Sequence, residues 1–93
     1  MSADVNRAEV AFRIKKIVAE QLGLPKDELE NDASFVDDLG ADSLEVMQIM
    51  MLIEDEFWMT FPDKPEEDIS TVGHAIDFVF SATERRENGP AFM

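Results

Sequence analysis

Apolar residues recur every three to four positions in three separate stretches of this chain, and no stretch alternates with period two through β-branched residues. That pattern predicts helices packed on one another rather than a sheet. In the first stretch Val10, Ile14, Ile17, Val18 and Leu22 share one face, with Arg13, Lys15, Lys16 and Glu20 on the remainder. Asp4 is the expected cap of this helix, and Gly23 followed by Pro25 is its stop. Phe12 falls off the stripe, either exposed or packed against a terminus. The second stretch runs from about Ser43 to Phe57 or Trp58. In the last, Ser70 or Thr71 caps a helix in which Val72, Ala75, Ile76, Val79 and Phe80 share a face. Phe61-Pro62-Asp63 breaks the chain before it, and residues 64–68 allow one short turn with Pro65 confined to a first-turn position. The expected fold is all-α, a small four-helix bundle of three longer helices and one short third helix.

Ninety-three residues make one domain, spanning 1–93, with a core over about 5–83 and residues 84–93 expected as a flexible tail. Residues 24–42 form a long connection, with Leu24, Leu29, Phe35, Val36 and Leu39 as expected inward anchors. A loop of that length in so small a domain is functional or carries its own packed turns. The chain has no cysteine, so no disulfide or thiolate metal site staples it, and any thiol chemistry needs an imported thiol. One histidine, His74, builds neither a metal cluster nor a nucleophile–base pair, and no catalytic constellation is spelled out. No apolar run reaches membrane-spanning length and Met1-Ser2-Ala3-Asp4 does not begin a signal peptide, so a cytoplasmic or organelle-matrix location is expected.

Charge is concentrated. Residues 27–68 hold 15 acids against one base, Lys64, a net of −14, whereas the flanks carry six acids and seven bases. That distribution argues against nucleic acid as a partner and points to basic protein surfaces. A solubilising acidic surface is the competing reading.

The second helix carries two apolar stripes. At 100° per residue Val46, Ile49, Met50, Ile53 and Phe57 fall within about 100° and face the core. Leu44, Met47 and Met51 form a second stripe on nearly the opposite side, bordered by Glu54 on one edge and by Gln48 and Asp55 on the other. A small bundle has no second core to receive it, so either this is an adaptable methionine docking surface or both stripes are buried.

Just ahead of that helix lies Asp37-Asp38-Leu39-Gly40-Ala41-Asp42-Ser43-Leu44. Ser43 sits where the loop ends and the helix begins, where free N–H groups and partial positive charge favour an anion attached at its hydroxyl. The plainer reading is a helix cap made by Asp42 and Ser43, with Glu45 as the third-position partner of Asp42.

Over residues 14–78 the chain resembles the acyl carrier proteins of dissociated (type II) fatty acid synthesis. The resemblance is carried by Ile14-Lys15-Lys16-Ile17, Glu20-Gln21-Leu22-Gly23, Ala33-Ser34-Phe35-Val36 and the segment from Asp38 to Leu44. Glu54-Asp55-Glu56-Phe57, Pro62-Asp63, Thr71-Val72 and Ala75-Ile76-Asp77 extend it. It implies that Ser43 accepts 4′-phosphopantetheine from coenzyme A, added by a carrier-protein synthase with magnesium, and that the arm's thiol carries acyl groups. It implies no catalysis by the chain itself and a monomeric state. It also implies docking of the second helix, through Asp42, Leu44, Glu45, Met47, Met51, Glu54 and Asp55, to basic patches on ketosynthase, reductase, dehydratase and transacylase enzymes. An acyl cavity is implied between the helices, with Phe35, Val46, Met50, Ile53, Phe57, Ile69 and Ala75 as wall candidates; their alternative role is ordinary core packing.

Several positions depart from the family's usual pattern. Gln48 replaces a common glutamate, and Leu52 stands at a usual alanine, where it is expected to narrow the cavity or change its depth. Trp58 and Met59 replace residues that are commonly polar or small, and Trp58 extends the docking stripe if the helix persists. Such changes admit a carrier specialised for polyketide, lipid A or another secondary acyl pathway. A purely structural or interaction subunit is the reading from another class.

Overall fold

The computed structural model describes residues 6–61 and 69–88, the last four as backbone. Three α-helices occupy these residues: α1 (Arg7–Leu22), α2 (Ser43–Phe57) and α3 (Val72–Asn88), with one turn of 3-10 helix at Lys26–Glu28. The expected short helix at residues 64–68 lies outside the described residues, so among those described the bundle has three α-helices rather than four.

Helix α1 starts later than expected. Asn6, in extended conformation, accepts the Glu9 amide N–H on its side chain at 2.8 Å and is the cap in place of Asp4, which lies outside the described residues. Capping at Asn6 leaves Val10, Ile14 and Val18 fully buried, with Ile17 and Leu22 half-buried beside them. Gly23 ends the helix with φ 70° and an N–H donated to Ala19, a left-handed turn that glycine adopts without Cβ strain. Phe12 is exposed, with the Lys26 ammonium 3.8 Å above its ring, so the aromatic ties the 3-10 turn back to α1.

Helix α3 begins where Thr71 Oγ1 accepts the His74 N–H at 3.0 Å, which makes Thr71 the cap and leaves His74 on the surface. Val72, Ala75, Ile76 and Val79 are fully buried. The helix then continues to Asn88, so residues 84–88, expected in the tail, are helical. Glu84, Arg85, Arg86 and Glu87 are good helix formers, and the breakers Gly89 and Pro90 follow only afterwards.

Helices α1 and α2 are antiparallel: Arg13 meets Glu56 at 3.1 Å while Gln21 meets Gln48 at 3.0 Å. Against them and α3 packs one core that includes Leu29, Phe35, Ile49, Ile53 and Ile69. Each such side chain stabilises the fold by about 1.5–3 kcal/mol relative to exposure. The long connection is lashed to α3 by an isolated antiparallel bridge, Ser34 with Thr71, in which Phe35 N–H donates to Ser70 and Val72 N–H donates to Ala33, both at 3.0 Å. Val36, expected to point inward, is exposed. Its neighbour Phe35 takes the inward position, and the tight turn that follows carries Val36 to the outside.

Candidate functional site

The loop before α2 is built from hydrogen bonds to Ser34. Its carbonyl accepts N–H groups from both Asp38 and Leu39 at 3.0 Å, and its own N–H donates to Asp38 Oδ2 at 2.8 Å. Ser34 Oγ accepts the Asp37 N–H at 3.1 Å. Gly40 then turns the chain with φ +74°, and Ala41, buried, donates its N–H to the Phe35 carbonyl at 2.9 Å. This brings residue 42 out of the core at a fixed angle, ready to start a helix.

A reciprocal capping box starts it. Asp42 Oδ1 accepts the Glu45 N–H at 2.8 Å, and Glu45 Oε1 accepts the Asp42 N–H at 3.1 Å. The cap is thus complete without Ser43. Ser43 is the first helical residue, is exposed, and its hydroxyl has no hydrogen-bond partner among the described residues. The N–H groups of Ser43 and Leu44 are likewise unpaired among those residues. An exposed hydroxyl beside two open N–H donors at a helix N-terminus suits a phosphate ester. Asp37, Asp38 and Asp42 add negative charge nearby, which disfavours a freely bound anion but not one held by a covalent bond.

Along α2 the structure separates the two stripes. Val46, Ile49, Met50, Ile53 and Phe57 are buried, whereas Leu44, Met47 and Met51 are exposed, Met51 at 63%. Asp42 and Asp55 are exposed beside them, and Glu45 and Glu54 are half-buried. Two of the acids near the end of the helix have structural engagements that the sequence did not signal. Glu54 Oε2 accepts the Phe61 N–H at 2.7 Å, anchoring the chain after the helix, where Phe61 packs on Phe78 with ring centroids 5.2 Å apart. Glu56 pairs with Arg13, which also holds Glu9 at 2.9 Å and lies 6.0 Å from the Phe57 ring centroid. Neither contact follows a fixed helical spacing, so no sequence pattern announces it.

The seven residues expected as cavity walls are all buried and belong to one core cluster. Leu52 is not among them: it is 42% exposed, on the outer face of α2 toward α1, so it does not narrow the interior. Trp58 does not prolong the helical stripe either. The helix stops at Phe57, and Trp58 caps it in the left-handed conformation at φ 56°, 84% exposed. Among the described residues no helix is long and apolar enough to cross a membrane.

Comparison with known proteins bears on the spare serine. The phosphopantetheine attachment site family matches residues 13–79. Among solved structures, the acyl carrier protein from Enterococcus faecalis, described for its high thermal stability, is similar at 35% identity with a TM-score of 0.71. The match covers 83% of this chain and 98% of that one. A helical fold shared over nearly the whole of that carrier agrees with a family match across most of this chain. The chain belongs to the phosphopantetheine attachment family, whose cofactor is covalently bound 4′-phosphopantetheine, and within it to the acyl carrier proteins.

Proposed function

We propose that Ser43 is the attachment residue and that the chain carries growing acyl groups for dissociated fatty acid synthesis, without catalysing a reaction itself. The observation that supports this best is the division of labour at the start of α2. Asp42 and Glu45 complete the cap, so the Ser43 hydroxyl is exposed and uncommitted. When bound, the arm supplies the thiol that a cysteine-free chain lacks and holds acyl groups as thioesters. In its attachment Ser43 Oγ attacks the proximal phosphorus of the coenzyme A pyrophosphate. The P–O bond to the nucleotide half breaks, 3′,5′-ADP leaves, and the hydroxyl proton passes to a base of the transferase.

In this reading the exposed stripe Leu44, Met47 and Met51, with Asp42, Glu45, Glu54 and Asp55 around it, meets basic patches on the modifying synthase and on ketosynthase, reductase, dehydratase and transacylase enzymes. The buried set Phe35, Val46, Met50, Ile53, Phe57, Ile69 and Ala75 parts to admit an alkyl chain, gaining about 0.8 kcal/mol per buried methylene. Methionine adapts to such repacking at little cost. The monomeric state and cytoplasmic setting expected from the sequence belong to the same proposal.

Incubation with coenzyme A and a broad-specificity phosphopantetheinyl transferase, followed by mass spectrometry, tests it. One arm per chain on the wild type and none on Ser43→Ala is expected; no adduct, or one that survives the substitution, refutes attachment at Ser43. A specialised acyl pathway is the second reading, favoured by the outward Leu52, the Gln21–Gln48 pair and the exposed Trp58. Poor elongation of the fully modified protein by standard fatty acid synthase enzymes selects it.

A further inference from the structure

The chain's sulfur lies in six methionines, since it has no cysteine. The fold sorts the four among the described residues into two kinds. Met50 is 1% exposed in the core and Met59 packs against it, partly buried, whereas Met47 and Met51 stand 43% and 63% exposed. Ser43, Met47 and Met51 follow one another at four-residue spacing along α2, so they form one ridge of the helix. An enzyme that closes on the Ser43 hydroxyl therefore covers Met47 one turn away.

Thioether oxidation follows exposure. The sulfur lone pair attacks one oxygen of a hydroperoxide, and the O–O bond breaks as the S–O bond forms. Sulfur loses two electrons and the peroxide gains them. Its other oxygen leaves and takes up the hydroxyl proton, giving water or an alcohol. The sulfoxide is polar and chiral where the thioether was apolar and adaptable. On this ridge it adds acceptors beside Asp42 and Asp55, which as carboxylates also only accept. A partner surface shaped for apolar contact then buries those oxygens unpaired. Reversal takes two thiols, which end as a disulfide while the oxygen leaves as water. Because both side chains face solvent, none of this disturbs the core.

We propose that Met47 and Met51 are a hydroperoxide-sensitive modification site, at which oxidation takes the ridge beside Ser43 out of use and a thiol-dependent reductase restores it. The proposal rests on Ser43 being the attachment residue and α2 the docking helix.

The test treats the full-length unmodified chain with hydrogen peroxide, removes the peroxide, and reads each methionine by peptide mapping and mass spectrometry. Met47 and Met51 should gain oxygen roughly tenfold faster than Met50 in the folded chain, with the difference lost in urea. The initial rate of arm transfer from coenzyme A by the broad-specificity transferase should fall roughly tenfold on oxidation, the effect of one unpaired polar group in an apolar contact. Treatment with methionine sulfoxide reductases and dithiothreitol should restore it, and the melting temperature should not change. The doubly substituted chain Met47→Leu/Met51→Leu, whatever its own rate, should give the same rate before and after peroxide. Equal oxidation of Met50, an unchanged transfer rate, a lowered melting temperature, or a loss that persists in the double variant would overturn the proposal. No transfer to the untreated chain refutes the carrier reading and this proposal with it. Transfer that proceeds and ignores oxidation refutes only the redox site.

Discussion

The backbone N–H of Gly73 donates to the Asn31 carbonyl at 2.6 Å, and a Cβ built on Gly73 would lie 2.7 Å from that same oxygen. The first turn of α3 and the long connection therefore meet backbone to backbone. By intrinsic propensity an alanine near the start of a helix is favoured over glycine by up to about 1 kcal/mol. Here the clash reverses the sign, because the atom in the way is main chain and cannot swing aside. Gly73→Ala should lower stability by about 1–3 kcal/mol in urea denaturation. A stabilised variant would show that the connection is free to move away from α3.

Trp58 occupies φ 56°, ψ 50°, where a non-glycine side chain costs about 1–2 kcal/mol. Comparing Trp58→Gly with Trp58→Ala isolates the backbone, since both remove the indole. Trp58→Gly should melt higher, by about 1 kcal/mol in stability. Equal melting of the two would mean that residue 58 leaves the left-handed conformation in solution.

The periodic parts of the fold were legible in the sequence because burial imposes them. The core face of α2, from Val46 to Phe57, and that of α3, from Val72 to Val79, follow from 3.6-residue spacing alone. What spacing does not encode was missed. Leu52 reads as a cavity residue by likeness to an alanine position, yet its place on the helix turns it outward toward Gln21. The Glu54–Phe61 and Arg13–Glu56 contacts depend on how the chain returns after α2 and how α1 crosses it, which are tertiary facts. The cap of α1 was misplaced because Asp4 and Asn6 are both acceptable caps, and only the helix phase against the core separates them. At Ser43 the sequence left cap and attachment open together. The structure assigns the cap to the Asp42–Glu45 box.

Removing the cap and removing the hydroxyl should therefore differ. Asp42→Ala deletes the acceptor of the Glu45 N–H and should cost about 0.5–2 kcal/mol. Ser43→Ala removes an exposed hydroxyl with no partner among the described residues and should stay within about 0.5 kcal/mol of the wild type. Thermal or urea unfolding of the unmodified proteins checks both. A large loss in Ser43→Ala would return the serine to a structural role.

The acids of residues 27–68 repel one another across a small bundle, and among the described residues of that segment Glu56 alone has an ion pair. Glu9 and Glu56 share Arg13, and Asp77 pairs with Arg7, but all three contacts are solvent-exposed pairs of the kind worth about 0–1 kcal/mol. Raising ionic strength from 0.01 M to 0.15 M shortens the Debye length from about 30 Å to about 8 Å. The larger value exceeds two of the domain's three extents, 28 and 19 Å, though not the third, 43 Å, so at low salt most of the acids sense one another. At moderate salt the diffuse repulsion is screened, while the few close pairs lose less because their charges touch. The melting temperature should therefore rise with added sodium chloride over this range. Arg13→Ala should steepen the rise, since it releases Glu9 and Glu56 into the unpaired set. Scanning calorimetry at matched pH measures both; a melting temperature that stays flat or falls with salt would mean that the close pairs outweigh the repulsion.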